Sequence, residues 1–387
     1  MSRAVRYPES PLRRRHQPAW PSPEVLTRVL ERLRELPPLV DAESCHALSD
    51  RLSAVARGEA VVLQAGECAE LFTDSASPVV TAKVAQLHEL SGRLRGSGRQ
   101  VVPIGRLAGQ YAKPRSHPTE MLPDGTEIPV YLGDAVNATA PTHSARRPDP
   151  VRLLAAYRHA ARALLAMGDL HTSHEALLLD YEHALLRPDR VRGGWYASSA
   201  HTVWIGERTR ELDGAHVDFA AGIGNPVGVK VGPTATPGDV RALVERLTAG
   251  HAPGRLCLVV RMGAARIGQR LPALADALRD HADRVVWLSD PMHGNTTRSP
   301  HGRKTRIVEV MAREVEVFCA VLRAHGARPG GLHLEVSPDD VTECVDRPAD
   351  LVTEPDFSRY TSACDPRLNR RQASALVGRF AELLAAQ

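Results

Sequence analysis

Short runs of apolar, mostly β-branched residues recur along the chain, separated by stretches whose apolar residues repeat at helical spacing. No other feature limits the possible folds as strongly. The runs are Val61–Ala65, Val101–Gly105, Thr202–Ile205, Val227–Lys230, Leu256–Val260, Val285–Leu288, Gly331–Leu334 and Tyr360–Ala363. Between them lie helical patterns such as Asp239–Leu247 and Leu271–Leu278. A run apolar on both faces suits a strand of a parallel sheet, because crossover helices cover both faces of such a sheet. Alternation of strand and helix builds βαβ units. Eight of them is the number that closes a barrel, so the expected fold class is α/β, a (β/α)8 TIM barrel.

The 387 residues exceed what such a barrel needs, roughly 250. Two helical patterns, Pro23–Leu36 and Ala42–Arg57, precede the first run, separated by Pro37-Pro38. The expected organisation is an N-terminal tail and helical extension over 1–58 and a catalytic barrel over 59–387. Within the tail, Arg13-Arg14-Arg15 reads as a solvated charge run. A doubly wound dinucleotide fold is the rival. Its best segment, Gly222-Ile-Gly-Asn-Pro-Val227, lacks the last glycine of the fingerprint, and Pro226 leads into a strand where a helix should open.

Composition narrows the function. Lys plus Arg total 49 against 45 Asp plus Glu, a formal charge of +4, too small for a nucleic-acid footprint. No apolar run approaches the ~20 residues of a bilayer span, so no membrane partner is expected. No apolar core of a signal peptide follows Met1. The six cysteines, at 45, 68, 257, 319, 344 and 364, form no CxxC pair. A reduced, cytoplasmic protein is expected.

Each run is followed within a few residues by a side chain suited to chemistry: Cys68, Arg106, Glu207 with Arg208, Lys230, Arg261, His293, Glu335 and Asp365. In a barrel these positions converge on the C-terminal face. They fall into two sets. Arg106, Arg208, Lys230 and Arg261 are cations that suit an anionic substrate, and Lys113 with Arg115 and Ser116 adds a second cluster sufficient for a separate phosphate. Cys68, His293, Glu335 and Asp365 offer a thiolate, an imidazole and two carboxylates, the mixed donors of an open transition-metal site. Taken singly, each arginine reads as a surface ion pair, Cys68 as a small core residue and His293 as a hydrogen-bonded loop residue. His171 and His174 are read as the start of a helix running to Leu185.

Several longer segments closely resemble the type II 3-deoxy-D-arabino-heptulosonate 7-phosphate (DAHP) synthases. They are Leu63–Glu70, Gly105–Ser116, Trp204–Arg210, Asn225–Lys230, Asp290–Thr296, Leu332–Glu335, Val341–Cys344 and Ala363–Asn369. The resemblance runs from about Trp20 to near the C-terminus. It implies a metal-dependent barrel that condenses phosphoenolpyruvate with erythrose 4-phosphate, the first step of the shikimate pathway. By the same resemblance Cys68, His293, Glu335 and Asp365 hold the metal, with Mn2+ the first choice and Co2+, Fe2+ or Zn2+ the others. Arg106, Arg208, Lys230 and Arg261 bind phosphoenolpyruvate, Glu207 holds a water beside it, and Lys113, Arg115 and Ser116 take the aldose phosphate. Glu207 and Lys230 are the catalytic candidates, and a homodimer or higher homo-oligomer is expected.

Departures from the family pattern are Ala65 for a usual Gly and Glu67 for a common Asp. The path from Asn137 to His174 is short where feedback-regulated relatives insert a helical pair, and the N-terminal extension is shorter too. This abbreviated form is similar to synthases serving secondary metabolism. Two alternatives remain: an amino-DAHP synthase using an imino analogue of the aldose phosphate, and a non-catalytic partner of a chorismate-pathway enzyme. The latter should have lost ligands, and all eight are present. Cys364 adjoins Asp365, which brings its sulfur within possible reach of Cys68.

Overall fold

The computed structural model describes residues 10–122 and 124–386; the first nine residues of the expected tail lie outside them. Eight parallel strands close a barrel: β1 (Ala60–Gly66), β2 (Gln100–Arg106), β3 (His171–Glu175), β4 (Thr202–Ile205), β5 (Val227–Val231), β6 (Leu256–Val260), β7 (Val285–Ser289) and β8 (Pro329–Glu335). Each strand neighbours those before and after it in sequence, and β8 closes on β1.

Two assignments change. The third strand is His171–Glu175, placed by sequence at the start of a helix, and only the short helix Leu179–Ala184 follows it. Tyr360–Ala363 is no strand but part of the irregular segment after β8. Within it Tyr360 packs edge-on against Phe357 and under Arg303, a local contact outside any sheet.

Among the described residues ten α-helices accompany the strands: α1 (Pro23–Glu35), α2 (Ala42–Ala56), α3 (Ser77–Leu94), α4 (Arg152–Met167), α5 (Leu179–Ala184), α6 (Ala215–Ala221), α7 (Pro237–Thr248), α8 (Ile267–Ala277), α9 (Val308–Ala324) and α10 (Arg370–Ala385). Helices α3, α4 and α6–α10 bury their apolar faces against the outward side chains of the strands in one large core. Helix α2 closes the opposite end of the barrel. Its Leu48, Leu52 and Val55 pack against the inward-facing Val62, Val102, Ile104, Val259 and Leu288, and Asp41 caps it by accepting from Ser44 N at 2.7 Å, a contact worth about 1 kcal/mol. Helix α1 packs with α4 and α5 in a second cluster.

The arginine run is largely exposed, as expected of a solvated charge run, and two of its members also form ion pairs at the surface. Arg14 meets Asp180 at 2.5 Å, Arg15 meets Glu211 at 2.5 Å, and the Arg13 carbonyl accepts from Ala215 N at 3.1 Å. These residues strap the chain across α5 and the start of α6.

Strand register sets the level of the site. Gly66 pairs with Arg106 on one side and Glu335 on the other, so three strands end together. Gly66 has φ +152°, and a Cβ there would lie 2.6 Å from the Arg106 carbonyl. Only glycine lets β1 turn so close to β2.

Candidate active site and metal-binding group

A cavity of about 550 Å³ opens at the C-terminal mouth of the barrel. Every residue expected to bind metal or substrate lines it except Glu335, which lies fully buried beneath. Strand ends deliver most of them. Arg106 ends β2, Lys230 lies in β5, Glu335 ends β8, and Cys68, Glu207, Arg208, Arg261 and His293 follow β1, β4, β6 and β7. Asp365 comes instead from the irregular segment after β8.

Cys68, Glu335 and Asp365 place one donor atom each within 4.8 Å of one another. Cys68 Sγ lies 3.8 Å from Asp365 Oδ2, and His293 Nε2 adjoins the group at 3.1 Å from Glu335 Oε1. The Lys113 ammonium sits among the same acceptors, touching Cys68 Sγ and standing 2.7 Å from Asp365 Oδ2 and 3.7 Å from Glu335 Oε1. A cation thus occupies the point where the soft and hard donors converge. That is the test a metal site must pass, and these residues fit a divalent transition ion.

Glu335 also carries partners that the sequence did not reveal. Arg106 Nη2 meets its Oε1 at 3.1 Å, and Arg306 Nη1 meets its Oε2 at 2.6 Å. Burial pushes the carboxyl up, but His293, Lys113 and Arg306 outweigh it and hold Glu335 well below the ordinary range. Asp365 is likewise held down: burial is again overcome, by Lys113 and then Arg306 and Lys304. Arg306, fully buried, also donates to the Pro366 carbonyl at 2.6 Å and so ties β8 to the loop of Asp365.

The cationic half rests on a polar layer inside the barrel. Gln64 donates to Ser173 Oγ at 2.9 Å, and its Oε1 lies 2.8 Å from His333 Nδ1. His333 Nε2 then faces Arg106 Nη1 at 2.6 Å. An arginine only donates, so His333 is neutral with its proton on Nδ1. Burial, then Arg106 and Lys230, push its pKa well down in agreement. Trp204 lies under Arg106 and Lys230, 5.2 and 5.8 Å from its ring centre. Lys230 Nζ reaches Asp290 Oδ2 at 3.2 Å, and Arg261 Nη2 donates to the His293 carbonyl at 2.9 Å.

The second cationic cluster is contiguous with the first. Arg208 donates to Ser116 Oγ at 2.7 Å and to the Pro114 carbonyl at 3.3 Å. Arg115 Nη1 reaches Cys364 Sγ at 3.5 Å. Glu207 turns aside: its Oε2 accepts from Gly232 N at 2.6 Å, and its Oε1 from Arg210 at 3.0 Å and Thr234 at 3.3 Å.

Among the cavity and support residues that sequence reasoning missed are Asp290, Arg306, Lys304 and Glu175. Asp290 lay inside a quoted motif without a role. Glu175 would have joined the strand-end series had β3 been recognised. Of the two histidines read as helical, His174 is buried on β3 and bonded to Glu182 at 2.8 Å, and His171 stacks edge-on with His201.

Among the described residues no helix is long and apolar enough to cross a membrane. The profile of the class-II DAHP synthetase family matches residues 9–168 and 162–381. The chain is 39% identical over 425 aligned positions to a phospho-2-dehydro-3-deoxyheptonate aldolase of Streptomyces coelicolor, covering 95% of this chain and 94% of that one. It is 43% identical over 375 positions to a probable phospho-2-dehydro-3-deoxyheptonate aldolase of Pseudomonas fluorescens, covering 93% of each. The solved structure of a phospho-2-dehydro-3-deoxyheptonate aldolase from Francisella tularensis superposes with a TM-score of 0.56 at 15% identity, over 94% of this chain and 97% of that one, and shares the fold.

Proposed function

The chain belongs to the class-II DAHP synthetase family, a transferase family, and we propose that it joins phosphoenolpyruvate to erythrose 4-phosphate, giving DAHP and phosphate. One observation carries this reading: Arg106, Lys230, Arg261 and Arg208 share a single cavity with the Cys68, His293 and Asp365 side chains, over Glu335. A dianionic or trianionic substrate and a Lewis-acidic ion are what these two sets call for.

In the proposed reaction the cations bind the carboxylate and phosphate of phosphoenolpyruvate and fix its C3 toward the aldehyde, the positional share of catalysis. A divalent ion held by Cys68, His293, Glu335 and Asp365, Mn2+ as the first choice, would supply Lewis acidity to the aldehyde oxygen. Lys113 competes with such an ion for the same three acceptors. Like charges repel at that range, so metal loading favours Lys113 beside Arg115 and Ser116, where it meets the aldose phosphate. Lys230, pushed below its ordinary pKa mainly by burial, can yield a proton to the aldehyde oxygen as the carbon–carbon bond forms.

The test is phosphoenolpyruvate consumption by the purified protein after chelation and return of single metals. Erythrose 4-phosphate with Mn2+ should restore turnover. Consumption with the imino analogue alone would assign the amino-DAHP reaction instead, and no consumption with any metal or either aldose would overturn the reading.

A further inference from the structure

Strand pairing joins β6 to β7 only as far as Val260 opposite Ser289. Arg261 and His293, one from each half of the site, both lie beyond that point. Arg261 touches the His293 carbonyl at 2.9 Å, but the backbone on which each residue stands is held from outside the barrel. Glu314 of α9 is fully buried and lies outside the cavity. Its Oε1 accepts from Met262 N at 3.0 Å and Gly263 N at 2.8 Å, directly after Arg261. Its Oε2 accepts from Asn295 Nδ2 at 2.5 Å, two residues after His293. Asn295 ties the same loops a second time, accepting from Ala264 N at 3.0 Å and donating to the Pro291 carbonyl at 2.8 Å.

The two loops also meet backbone to backbone. A Cβ on Gly294 would lie 2.2 Å from Gly263 N. One on Gly263, where φ is +83°, would lie 2.7 Å from the Gly294 carbonyl oxygen. Glycine at both places lets the loops touch, and a displacement of either is passed to the other.

We propose that Glu314 is a positioning residue for the condensation: it clamps the loops after β6 and β7 together and so fixes Arg261, on the phosphoenolpyruvate side, against His293, on the metal side. This rests on the reaction proposed above. Phosphoenolpyruvate held partly by Arg261 must present C3 to an aldehyde oriented from the His293 side. A misplacement of about 1 Å, caused far from the reacting atoms, can cost about 100-fold in rate.

The choice of a carboxylate supports the clamp. Burial pushes Glu314 up to about 7, with Asp290 adding to the rise, while the N–H groups of Gly263 and Met262 and the Asn295 amide draw it back. A group so costly to ionise is retained for what the ionised form provides, two acceptor oxygens facing donors on two different loops. Glutamine has one acceptor. With its carbonyl on Met262 N and Gly263 N, its own amide would face the Asn295 amide, donor against donor, and the link to the β7 loop would open.

The experiment compares the parent with Glu314→Gln and Asn295→Ala, which cut this link from opposite ends, and with the double variant. Mn2+ affinity is measured by calorimetry on the metal-free proteins, and kcat and both KM values at saturating Mn2+. Each single variant should lower Mn2+ affinity about 10-fold and kcat about 10-fold or more. KM for erythrose 4-phosphate should stay within about 3-fold, because Lys113, Arg115 and Ser116 stand on the loop after β2. The double variant should fall within about 3-fold of the poorer single one, since both changes remove one contact. Asn295→Ala keeps the buried carboxylate and its two N–H partners, so the test stands if the glutamine variant folds poorly. Parental kcat and Mn2+ affinity in both single variants would overturn the clamp alone. So would effects that multiply in the double variant, or a KM for erythrose 4-phosphate that rises in step with the loss of kcat. A parent that consumes no phosphoenolpyruvate overturns the condensation and the clamp with it.

Discussion

Asp290 holds His293 from behind: Nδ1 of the imidazole lies 2.8 Å from one carboxylate oxygen and 3.0 Å from the other. The opposite ring nitrogen, Nε2, faces Glu335 at 3.1 Å. Asp290 Oδ1 also accepts the backbone N–H groups of Met292 and His293 at 3.1 Å, so the carboxylate is fixed before it fixes the ring. Its Oδ2 holds Lys230 at 3.2 Å. One buried carboxylate therefore sets the tautomer of an imidazole in the metal-binding half and the position of an ammonium in the anion-binding half.

Asp290→Asn removes the charge and turns one of the two oxygens that face Nδ1 into a donor amide, which weakens the hold on the Nδ1 proton of His293. Partners of this kind are worth about 10- to 100-fold in metal affinity. Calorimetric titration of the metal-free variant with Mn2+ should show a loss of that size. Affinity equal to the parent's would contradict the orienting role of Asp290.

Much of the barrel was readable because its strands bury both faces and so show as apolar runs. His171–Glu175 escaped because both its faces carry polar residues: Ser173, inside the barrel, receives from Gln64 and donates to the Gly105 carbonyl, and His174, on the other face, bonds Glu182 of α5. Polar residues at such positions erase the period on which strand recognition depends. Tyr360–Ala363 misled for the opposite reason, its aromatic packing local rather than in a sheet. The strand-end logic located the cavity residues, yet Arg306 lies on a hairpin (Lys304–Arg306) remote in sequence from the end of any barrel strand, and its pairing with Glu335 exists only in three dimensions.

Oxidation should silence the metal-free protein. The Cys364 thiol is pulled down to about 7, first by its hydrogen bond with Cys68, with Lys113 and Arg115 aiding against burial. It therefore carries thiolate near neutral pH, in contact with a second thiol. Hydrogen peroxide would convert Cys364 to a sulfenic acid with release of water, and Cys68 would displace a second water to form the disulfide. Mn2+ alone should then no longer restore turnover, whereas dithiothreitol followed by Mn2+ should. Peptide mapping should find the linked pair, and Cys68→Ser should abolish both the link and tight metal binding. Two free thiols in the inactivated protein would refute this.

The pH dependence of stability has a defined sign. Burial pushes His171 down to about 4 and His201 down to about 3, and His201 Nδ1 accepts Thr172 N–H at 2.9 Å, which requires the unprotonated nitrogen. The unfolded chain titrates these residues near 6.5. Above that pH both states are neutral and the stability is fully present. Between about 6.5 and 4 the unfolded state binds protons the fold refuses, at a cost of up to about 1.4 kcal/mol per pH unit for each histidine. The depressed carboxylates Glu335 and Asp365 act only at lower pH, below about 4. Urea unfolding should show stability falling from pH 7 to 5, and His201→Asn, which keeps an acceptor without titrating, should flatten the slope. Equal stability of the parent at both values would exclude the effect.

Feedback inhibition by Phe, Tyr or Trp should be weak or absent. Inhibition at a distance needs a second site with different affinity for two states of the protein. The family resemblance implies that, in feedback-regulated relatives, a helical pair inserted ahead of the third strand helps to build such sites. Here α4 ends at Met167 and β3 begins at His171, with Gly168 turning the chain at φ +62°. The connection is from helix to strand, not between helices as its sequence implied, and residues 168–170 have no room for the pair. The Streptomyces coelicolor relative aligns over 425 positions while covering 95% of this 387-residue chain, so it carries segments that this chain lacks; the Pseudomonas fluorescens relative, over 375 positions at 93%, carries few. None of the cavity residues lies in the shortened connection, so turnover should persist without control. Steady-state rates with each aromatic amino acid, alone and combined, decide the matter. Strong inhibition at sub-millimolar concentration would place a regulatory site elsewhere on this chain.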